Sequence, residues 1–249
     1  MSESDTSRLK TTSLRQPKAD ATVIAFDLDG TLVDTAPDLI ATLNQIFANN
    51  DLPPVPYETG RAMIGGGVKV LLEKSLTGQG RAFTPQDLDR LFREYLDHYT
   101  AHIADASRPF PGVEAALDIL AAQGFRLAVC TNKLEALSRQ LLDALGMTSR
   151  FAAICGQDTF GTPKPHPEML RKTVIMAGGD PAHCVMVGDS QTDIDTAKAA
   201  GVPVIAVDFG YTETPVDRFN PDRIISHFDE LPAAIAALVS DGANAKERG

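Results

Sequence analysis

The chain has 249 residues, with 23 lysines and arginines against 33 aspartates and glutamates, which gives a formal net charge of −10. Hydrophobic residues make up 43% of the chain and charged residues 22%, a balance that excludes a disordered chain and a fibre. The length is that of one large domain, or of one domain with a smaller one attached. The negative charge argues against nucleic acid and an anionic membrane surface as main partners.

The first residues and the cysteines indicate the compartment. Residues 1–20 are polar and lack the apolar core of a signal peptide, so we expect a flexible extension there, and a similar tail over 241–249. No apolar run reaches the ~18 residues of a membrane span. Cys130, Cys155 and Cys184 lie in or at the end of apolar runs, which favours buried, reduced thiols and a cytoplasmic protein.

Short apolar runs rich in valine and isoleucine alternate with helical patterns along most of the chain. Runs of this kind, apolar on both faces, are typical of buried parallel strands. The predicted strands cover residues 22–27, 126–130, 151–155, 183–187, 203–207 and 223–226. The predicted helices between and after them cover 113–123, 134–145, 167–177, 192–200 and 230–239. This alternation predicts an α/β fold, a Rossmann-like parallel sheet with helices on both faces.

One long interval interrupts the alternation of strands and helices. Between the first two predicted strands, the sequence contains helical patterns over 37–49, 57–63, 68–75 and 85–102, and no convincing strand. A helical excursion of this length predicts an inserted all-α cap domain over residues 38–107. The core domain that carries the sheet would then comprise residues 21–37 and 108–240.

Polar side chains follow four of the predicted strands. They are, in chain order, Asp27 with Asp29, Thr131 with Asn132, Lys164, and Asp189 with Asp193. Ligands of an open parallel sheet bind beyond the carboxyl ends of its strands, so we expect these groups to meet at one edge. So many carboxylates at one site require a cation, and hard oxygen ligands suit Mg²⁺.

Plainer structural interpretations of these residues stay open beside the functional one. Asp27 and Asp29 also suit a turn, and Asp189 and Asp193 also suit the first turn of a helix, where a negative charge matches the helix dipole. Thr131 also suits the N-cap position of a helix.

The polar segments resemble the four signature motifs of the haloacid dehalogenase superfamily, in the same order and spacing. The first is Asp27-Leu-Asp-Gly-Thr-Leu-Val-Asp34, and the others are Thr131, Lys164 and Gly188-Asp-Ser-Gln-Thr-Asp193. The resemblance covers residues from about 22 to 239. Within the superfamily, residues 29–38 and the helical insertion resemble the phosphoglycolate phosphatases.

The resemblance implies a role for each carboxylate. Asp27 would be the nucleophile that forms an aspartyl-phosphate, and Asp29 would be the general acid and base. The side chains of Asp27 and Asp189, with the backbone carbonyl of Asp29, would hold Mg²⁺. Asp193 would support the site from behind or hold Lys164.

The resemblance also implies which residues bind the phosphoryl group. Gly30, Thr131, Asn132 and Lys164 would contact its oxygens, with Lys164 also facing the nucleophile. Thr131 and Asn132 are predicted at the start of a helix, where backbone amides would assist them. His166 lies next to this set, and we expect it to pack within its loop, since Asp29 already fills the acid and base role.

The helical insertion would form a lid over this edge of the sheet. Its run Gly65-Gly66-Gly67 would bring backbone amides to a substrate carboxylate, with Arg61 or Lys69 nearby. The alternative for the glycine run is a plain flexible turn.

We therefore expect a Mg²⁺-dependent phosphomonoester hydrolase, and the resemblance implies 2-phosphoglycolate as substrate and a place in carbohydrate metabolism. The alternatives are a phosphatase for an amino-sugar phosphate, a sugar phosphate or pyrophosphate, and a phosphotransferase similar to β-phosphoglucomutase. A non-catalytic phospholigand sensor would show a broken set of motif residues, and none is missing. We expect a small phosphomonoester as ligand, no nucleic-acid or membrane partner, and a monomer or homodimer.

Overall fold

The computed structural model describes residues 22–246, with side chains as far as residue 240. The extension predicted over residues 1–20 lies outside this range. The strands are, in chain order, β1 (Val23–Phe26), β2 (Val33–Asp34), β3 (Arg108–Pro109), β4 (Arg126–Cys130), β5 (Ala153–Cys155), β6 (Cys184–Gly188), β7 (Val204–Val207) and β8 (Arg223–Ile225). A six-stranded parallel sheet has the order β5-β4-β1-β6-β7-β8, which confirms the predicted α/β class.

The central strand β1 shows why polar residues appear only where strands end. It pairs in parallel with β4 on one side and with β6 on the other. Its side chains alternate between two apolar cores, with Ile24 and Phe26 in one and Val23 and Ala25 in the other. Because helices cover both faces of such a sheet, its side chains reach a ligand only beyond the strand ends.

The helices agree closely with the predicted ones. They are α1 (Ala36–Asn49), α2 (Tyr57–Ala62), α3 (Val68–Gly78), α4 (Pro85–Ala101), α5 (Val113–Ala122), α6 (Glu135–Ala144), α7 (Pro167–Met176), α8 (Gln191–Ala200) and α9 (Leu231–Lys246). The backbone of α9 is helical to Lys246, so the tail predicted from residue 241 is wrong over residues 241–246. Within the described range, no helix combines the length and apolar character needed to cross a membrane.

Helices α1 to α4 lie between β2 and β3, where the chain leaves the sheet and returns to it. These two strands pair antiparallel, which the sequence did not predict because each is only two residues long. Within the insertion, α4 packs on both α1 and α3. Buried side chains such as Leu43, Leu72 and Tyr95 fill the space between these helices.

The carboxylate of Asp38 fastens the start of α1 to the returning chain. It accepts hydrogen bonds from the backbone amides of Ala106, at 2.9 and 3.1 Å, and Ser107, at 2.7 Å. The Ser107 hydroxyl donates a further bond of 2.6 Å. A buried carboxylate satisfied in this way holds the two ends of the insertion together at its base.

Candidate active site

The loops after the parallel strands bring the predicted carboxylates and Lys164 together. Lys164, in the loop after β5, lies with its Nζ 2.9 Å from Asp27 Oδ1 and 2.6 Å from Asp193 Oδ1. One carboxylate oxygen from each of Asp27, Asp189 and Asp193 lies within 4.8 Å of the others. All four residues are buried, so three carboxylates crowd around one ammonium group, which pairs with two of them.

The crowding of carboxylates is reflected in the pKa values of the cluster. Burial, and then the charges of Asp193 and Asp27, raise the pKa of Asp189 above that of an ordinary aspartate. Burial alone would lower the pKa of Lys164, but the Asp193 and Asp27 carboxylates more than offset it and hold that pKa above its usual value. A second cation would stabilise the ionised form of all three carboxylates.

The acceptor atoms of the cluster fit a hard divalent cation. Asp27 Oδ1 is buried and accepts no hydrogen bond of normal geometry from the described residues, although Lys164 Nζ is near it. Asp189 accepts one bond at each oxygen, from the Thr31 hydroxyl at 3.3 Å and the Tyr211 amide at 2.7 Å. Both have lone pairs left for a metal such as Mg²⁺, which prefers carboxylate oxygens.

Both carboxylate oxygens of Asp193 already accept hydrogen bonds from neighbouring residues. Its Oδ1 accepts a bond from Lys164, and its Oδ2 accepts bonds from the Ser190 amide at 3.1 Å and the Ser190 hydroxyl at 2.7 Å. The bond from the Ser190 amide is one half of the capping box that begins α8. Asp193 therefore holds Lys164 in place, and Asp27 and Asp189 are the better metal ligands.

Two glycines leave the space that Asp189 occupies. A Cβ atom on Gly210 would lie 2.2 Å from Asp189 Cβ, and one on Gly30 would lie 2.5 Å from Asp189 Oδ2. Gly30 also has a φ of 83°, which side-chain-bearing residues rarely adopt. Its amide donates to the Val33 carbonyl at 3.0 Å, so the structure gives Gly30 a steric role instead of a free amide for substrate.

Asp29 lies beside a lysine to which the sequence interpretation gave no role. Lys133 Nζ lies 3.1 and 3.2 Å from the two oxygens of Asp29 and 2.9 Å from the hydroxyl of Tyr99, on α4. The Thr35 hydroxyl donates a bond of 2.8 Å to Asp29. The sequence signal for Lys133 was its place directly after Thr131 and Asn132, beyond the end of β4.

Thr131 and Asn132 lie in the loop after β4, and their predicted position at a helix start is wrong. Helix α6 begins only at Glu135, whose amide donates to Asp158 Oδ1 at 2.8 Å. Asn132 instead clamps the Lys164 loop, donating to the Lys164 carbonyl at 3.1 Å and accepting from the Lys164 amide at 2.9 Å. These bonds fix the backbone from which the Lys164 ammonium projects.

A pocket separates the sheet edge from the helical insertion. Its polar lining combines groups from both parts: Asp27, Asp29, Thr131, Asn132, Lys133, Gln157, Gly65 and Gly67. The rest of the lining is apolar: Leu39, Ile64, Val68, Leu71, Phe92, Tyr99, Leu134 and Leu137. An apolar wall with a polar end is typical of a site for a small ligand. Asp189 faces a second, more open pocket, which Gly65 and Gly66 also line.

The other predicted residues of the insertion have partners away from the pocket. Arg61 donates to the Phe209 carbonyl at 2.8 Å and lies over the Tyr211 ring, 4.9 Å from its centroid. Lys69 forms an exposed ion pair with Asp89 at 2.7 Å. Neither lines the pocket that Gly65 and Gly67 border.

His166 has a local role in its own loop. Its Nδ1 accepts a hydrogen bond of 3.2 Å from the amide of Glu168, which caps the start of α7. The ring is exposed. His166 therefore caps a helix instead of packing within the loop as expected.

Comparisons with known proteins agree with this geometry. The model of the haloacid dehalogenase-like hydrolase family matches residues 24–207. The chain is 51% identical over 214 residues to a phosphoglycolate phosphatase of Mesorhizobium japonicum, covering 86% of this chain and 94% of that protein. It is 44% identical to a phosphoglycolate phosphatase of Caulobacter vibrioides, covering 87% and 92% of the two chains. The crystal structure of a predicted phosphoglycolate phosphatase from Haemophilus somnus superposes with a TM-score of 0.81 at 30% identity, covering 86% and 98%.

The chain belongs to the haloacid dehalogenase-like hydrolase family. Within that family it is a phosphoric monoester hydrolase that resembles the phosphoglycolate phosphatases.

Proposed function

We propose that the chain is a Mg²⁺-dependent phosphatase that hydrolyses 2-phosphoglycolate to glycolate and phosphate through an aspartyl-phosphate on Asp27. The observation that carries this proposal is the buried cluster in which the carboxylates of Asp27, Asp189 and Asp193 lie close together beside Lys164. The names of relatives up to 51% identical supply the substrate.

In the first chemical step, a carboxylate oxygen of Asp27 attacks the phosphorus and the ester P–O bond breaks. The departing glycolate oxygen takes its proton from Asp29, which lines the same pocket. Lys164, 2.9 Å from Asp27 Oδ1, offsets charge on the nucleophile and the phosphoryl oxygens. Thr131 and Asn132 line the pocket where those oxygens would lie.

In the second step, the Asp29 carboxylate left by the first step takes a proton from a water molecule, whose oxygen attacks the phosphorus. The bond between Asp27 and phosphorus breaks, Asp27 returns to its ionised form and Asp29 to its protonated form, and one water is consumed. When bound between the Asp27 and Asp189 side chains and the Asp29 carbonyl, Mg²⁺ would screen the nucleophile from the phosphate dianion. Asp193 keeps Lys164 in position through both steps.

The substrate carboxylate would bind at the opposite, insertion side of the pocket. Gly65 and Gly67 line the pocket there, just before α3. Among the described residues, the backbone amides of Gly65, Gly66 and Gly67 donate no hydrogen bond, so they are available to an anion. This supports a lid role for residues 38–107 and a small acidic ester as substrate.

We also propose a cytoplasmic location. The three cysteines are free and buried among apolar strands, as is usual for a protein kept in a reducing compartment. The oligomeric state, monomer or homodimer, stays a prediction.

The experiment that tests the function is a panel of phosphomonoesters ranked by kcat/KM, with Mg²⁺ and then with a chelator. We expect 2-phosphoglycolate to rank first, and hydrolysis to stop when the metal is removed. A higher kcat/KM for an amino-sugar phosphate, a sugar phosphate or pyrophosphate would replace the substrate and keep the reaction class. Phosphate release without a bisphosphate activator would distinguish hydrolysis from a mutase reaction.

The nucleophile is tested by Asp27→Asn, which should reduce turnover by at least about a thousandfold, because an amide cannot form the acyl-phosphate. The matched control is Asp97→Asn, an exposed residue of α4 for which we expect wild-type kcat and KM. Substantial activity in Asp27→Asn would exclude the mechanism.

A further inference from the structure

The side chain of Tyr99 connects the helical insertion to Asp29 through one lysine. Tyr99 belongs to α4, and its hydroxyl lies 2.9 Å from Lys133 Nζ. The same Nζ is 4.6 Å from the Tyr99 ring centroid, so the ammonium group also lies over the ring. From there, it reaches both carboxylate oxygens of Asp29, at 3.1 and 3.2 Å.

These contacts use the full bonding capacity of the lysine. An ammonium group has three protons, and three oxygens lie within 3.2 Å of Lys133 Nζ. The side chains of Lys133 and Asp29 are 5% and 15% exposed, and Tyr99 is fully buried. Burial, and then the nearby charge of Asp29, hold the pKa of Tyr99 well above its usual value, so its hydroxyl stays neutral. Little solvent is present to replace a lost contact.

We propose that Tyr99 is a positioning residue for the reaction, which fixes Lys133 so that Lys133 in turn fixes the carboxylate of Asp29. This inference rests on the proposed function, because it takes Asp29 as the group that protonates the leaving oxygen. Small displacements of a catalytic group lower the rate steeply, so the group that orients the acid affects the chemical step.

The contact between Tyr99 and Lys133 also links the helical insertion to the sheet edge. Asp29 follows β1 at the sheet edge, whereas Tyr99 lies on α4 of the insertion. The third contact of Lys133 therefore exists only while α4 packs against the sheet edge. The Thr35 hydroxyl donates a separate bond of 2.8 Å to Asp29 Oδ1, so we expect the Asp29 carboxylate to be less well fixed without Tyr99 but still held.

The test compares two tyrosines of the same helix. Tyr99→Phe removes the hydroxyl that touches Lys133. Tyr95→Phe is the matched control, because Tyr95 is equally buried and its hydroxyl donates to the Leu39 carbonyl at 2.9 Å, away from Lys133. Melting temperatures of both variants report any purely structural effect.

The readout uses two small phosphates that differ in their need for an acid. The glycolate oxygen of 2-phosphoglycolate must be protonated as it leaves, whereas the acetate of acetyl phosphate leaves without a proton. We compare kcat/KM because it reports the steps from substrate binding to loss of the leaving group. It is not affected by the later hydrolysis of the aspartyl-phosphate. For Tyr99→Phe we expect kcat/KM to fall about tenfold with 2-phosphoglycolate, a part of the roughly 10²–10⁴-fold supplied by acid–base catalysis. With acetyl phosphate, the change should stay within about twofold, since no acid is needed for that leaving group.

Several results would overturn the positioning role. They are an equal loss with both substrates, no loss with either, or a loss in Tyr95→Phe that matches that in Tyr99→Phe. If Tyr99→Phe does not fold at the assay temperature, Lys133→Gln is measured instead, with the same preferential loss for 2-phosphoglycolate expected. The Asp27→Asn variant is measured in parallel to distinguish failure of the proposed function from failure of the Tyr99 role. Activity in Asp27→Asn would refute the proposed function itself.

Discussion

Replacing Lys164 by methionine would remove the ammonium group that lies between Asp27 and Asp193. The variant has nearly the same side-chain length, so it tests the charge and not the packing volume. Lys164 Nζ lies 2.9 Å from Asp27 and 2.6 Å from Asp193, and the lysine side chain is only 1% exposed. Without it, three buried carboxylates face one another with no cation among them.

The expected loss of stability follows from this burial. Removing one partner of a buried ion pair costs about 3–5 kcal/mol, since the remaining charge keeps its desolvation penalty. For a chain of this size, 1 kcal/mol shifts the melting temperature by roughly 2–4 °C, so we expect a decrease of about 6–20 °C without metal. Added Mg²⁺ should raise the melting temperature of Lys164→Met more than that of the wild type, because it replaces part of the lost positive charge.

The assay is thermal unfolding in chelator and in Mg²⁺, with Lys69→Met as control. Lys69 pairs with Asp89 at a similar distance, 2.7 Å, but both side chains are about half exposed. Exposed pairs contribute about 0–1 kcal/mol, so this control should melt within about 4 °C of the wild type. Equal decreases in the two variants would refute the argument that the buried cluster depends on Lys164.

Two further predictions concern Asp189. Gly210→Ala places a Cβ atom 2.2 Å from Asp189 Cβ and should weaken Mg²⁺ binding about 10–100-fold, measured by activity against Mg²⁺ concentration. Gly78→Ala, whose Cβ would meet nothing closer than 3.9 Å, should bind Mg²⁺ as the wild type does, and equal affinity in both variants would contradict the steric argument. The pKa of Asp189 is higher in the folded protein than in the unfolded chain, where it is near 3.8. Without metal, the stabilisation that protonated Asp189 contributes to the fold is therefore complete below the unfolded pKa, and it is lost as pH rises through the folded pKa. Mg²⁺ should remove that loss, so the metal-induced rise in melting temperature should grow with pH across this window, and a constant rise would contradict it.

The parts of the fold and site that the sequence predicts well are those encoded by local patterns. The buried strands are continuous apolar runs, and the residues directly beyond them, such as Asp27 and Asp189, are placed by the strand ends alone. Asp193 and Lys164 were predicted as partners, and the structure puts them 2.6 Å apart.

The parts that the sequence did not predict depend on contacts between distant segments. Lys133 lies 104 residues from Asp29 and 34 from Tyr99, and no local pattern encodes either pair. Helix α6 starts within one residue of its predicted start, but its first amide donates to Asp158 from the loop after β5, so Thr131 does not cap it. The β2–β3 pair was not predicted because a strand of two residues is too short to show an alternation of apolar and polar residues.

The same short β2–β3 pair makes the insertion exchangeable. The chain crosses between the two parts at adjacent points, Asp34 paired with Arg108, while Lys164 and Asp189 follow strands outside that segment. An insertion from a related hydrolase, grafted between these two residues, would therefore change the pocket wall that meets the organic part of the substrate and leave Lys164 and Asp189 in place, but it would also replace Thr35, which donates to Asp29. A graft that keeps full turnover of alkyl phosphates would also need a hydroxyl where Tyr99 meets Lys133.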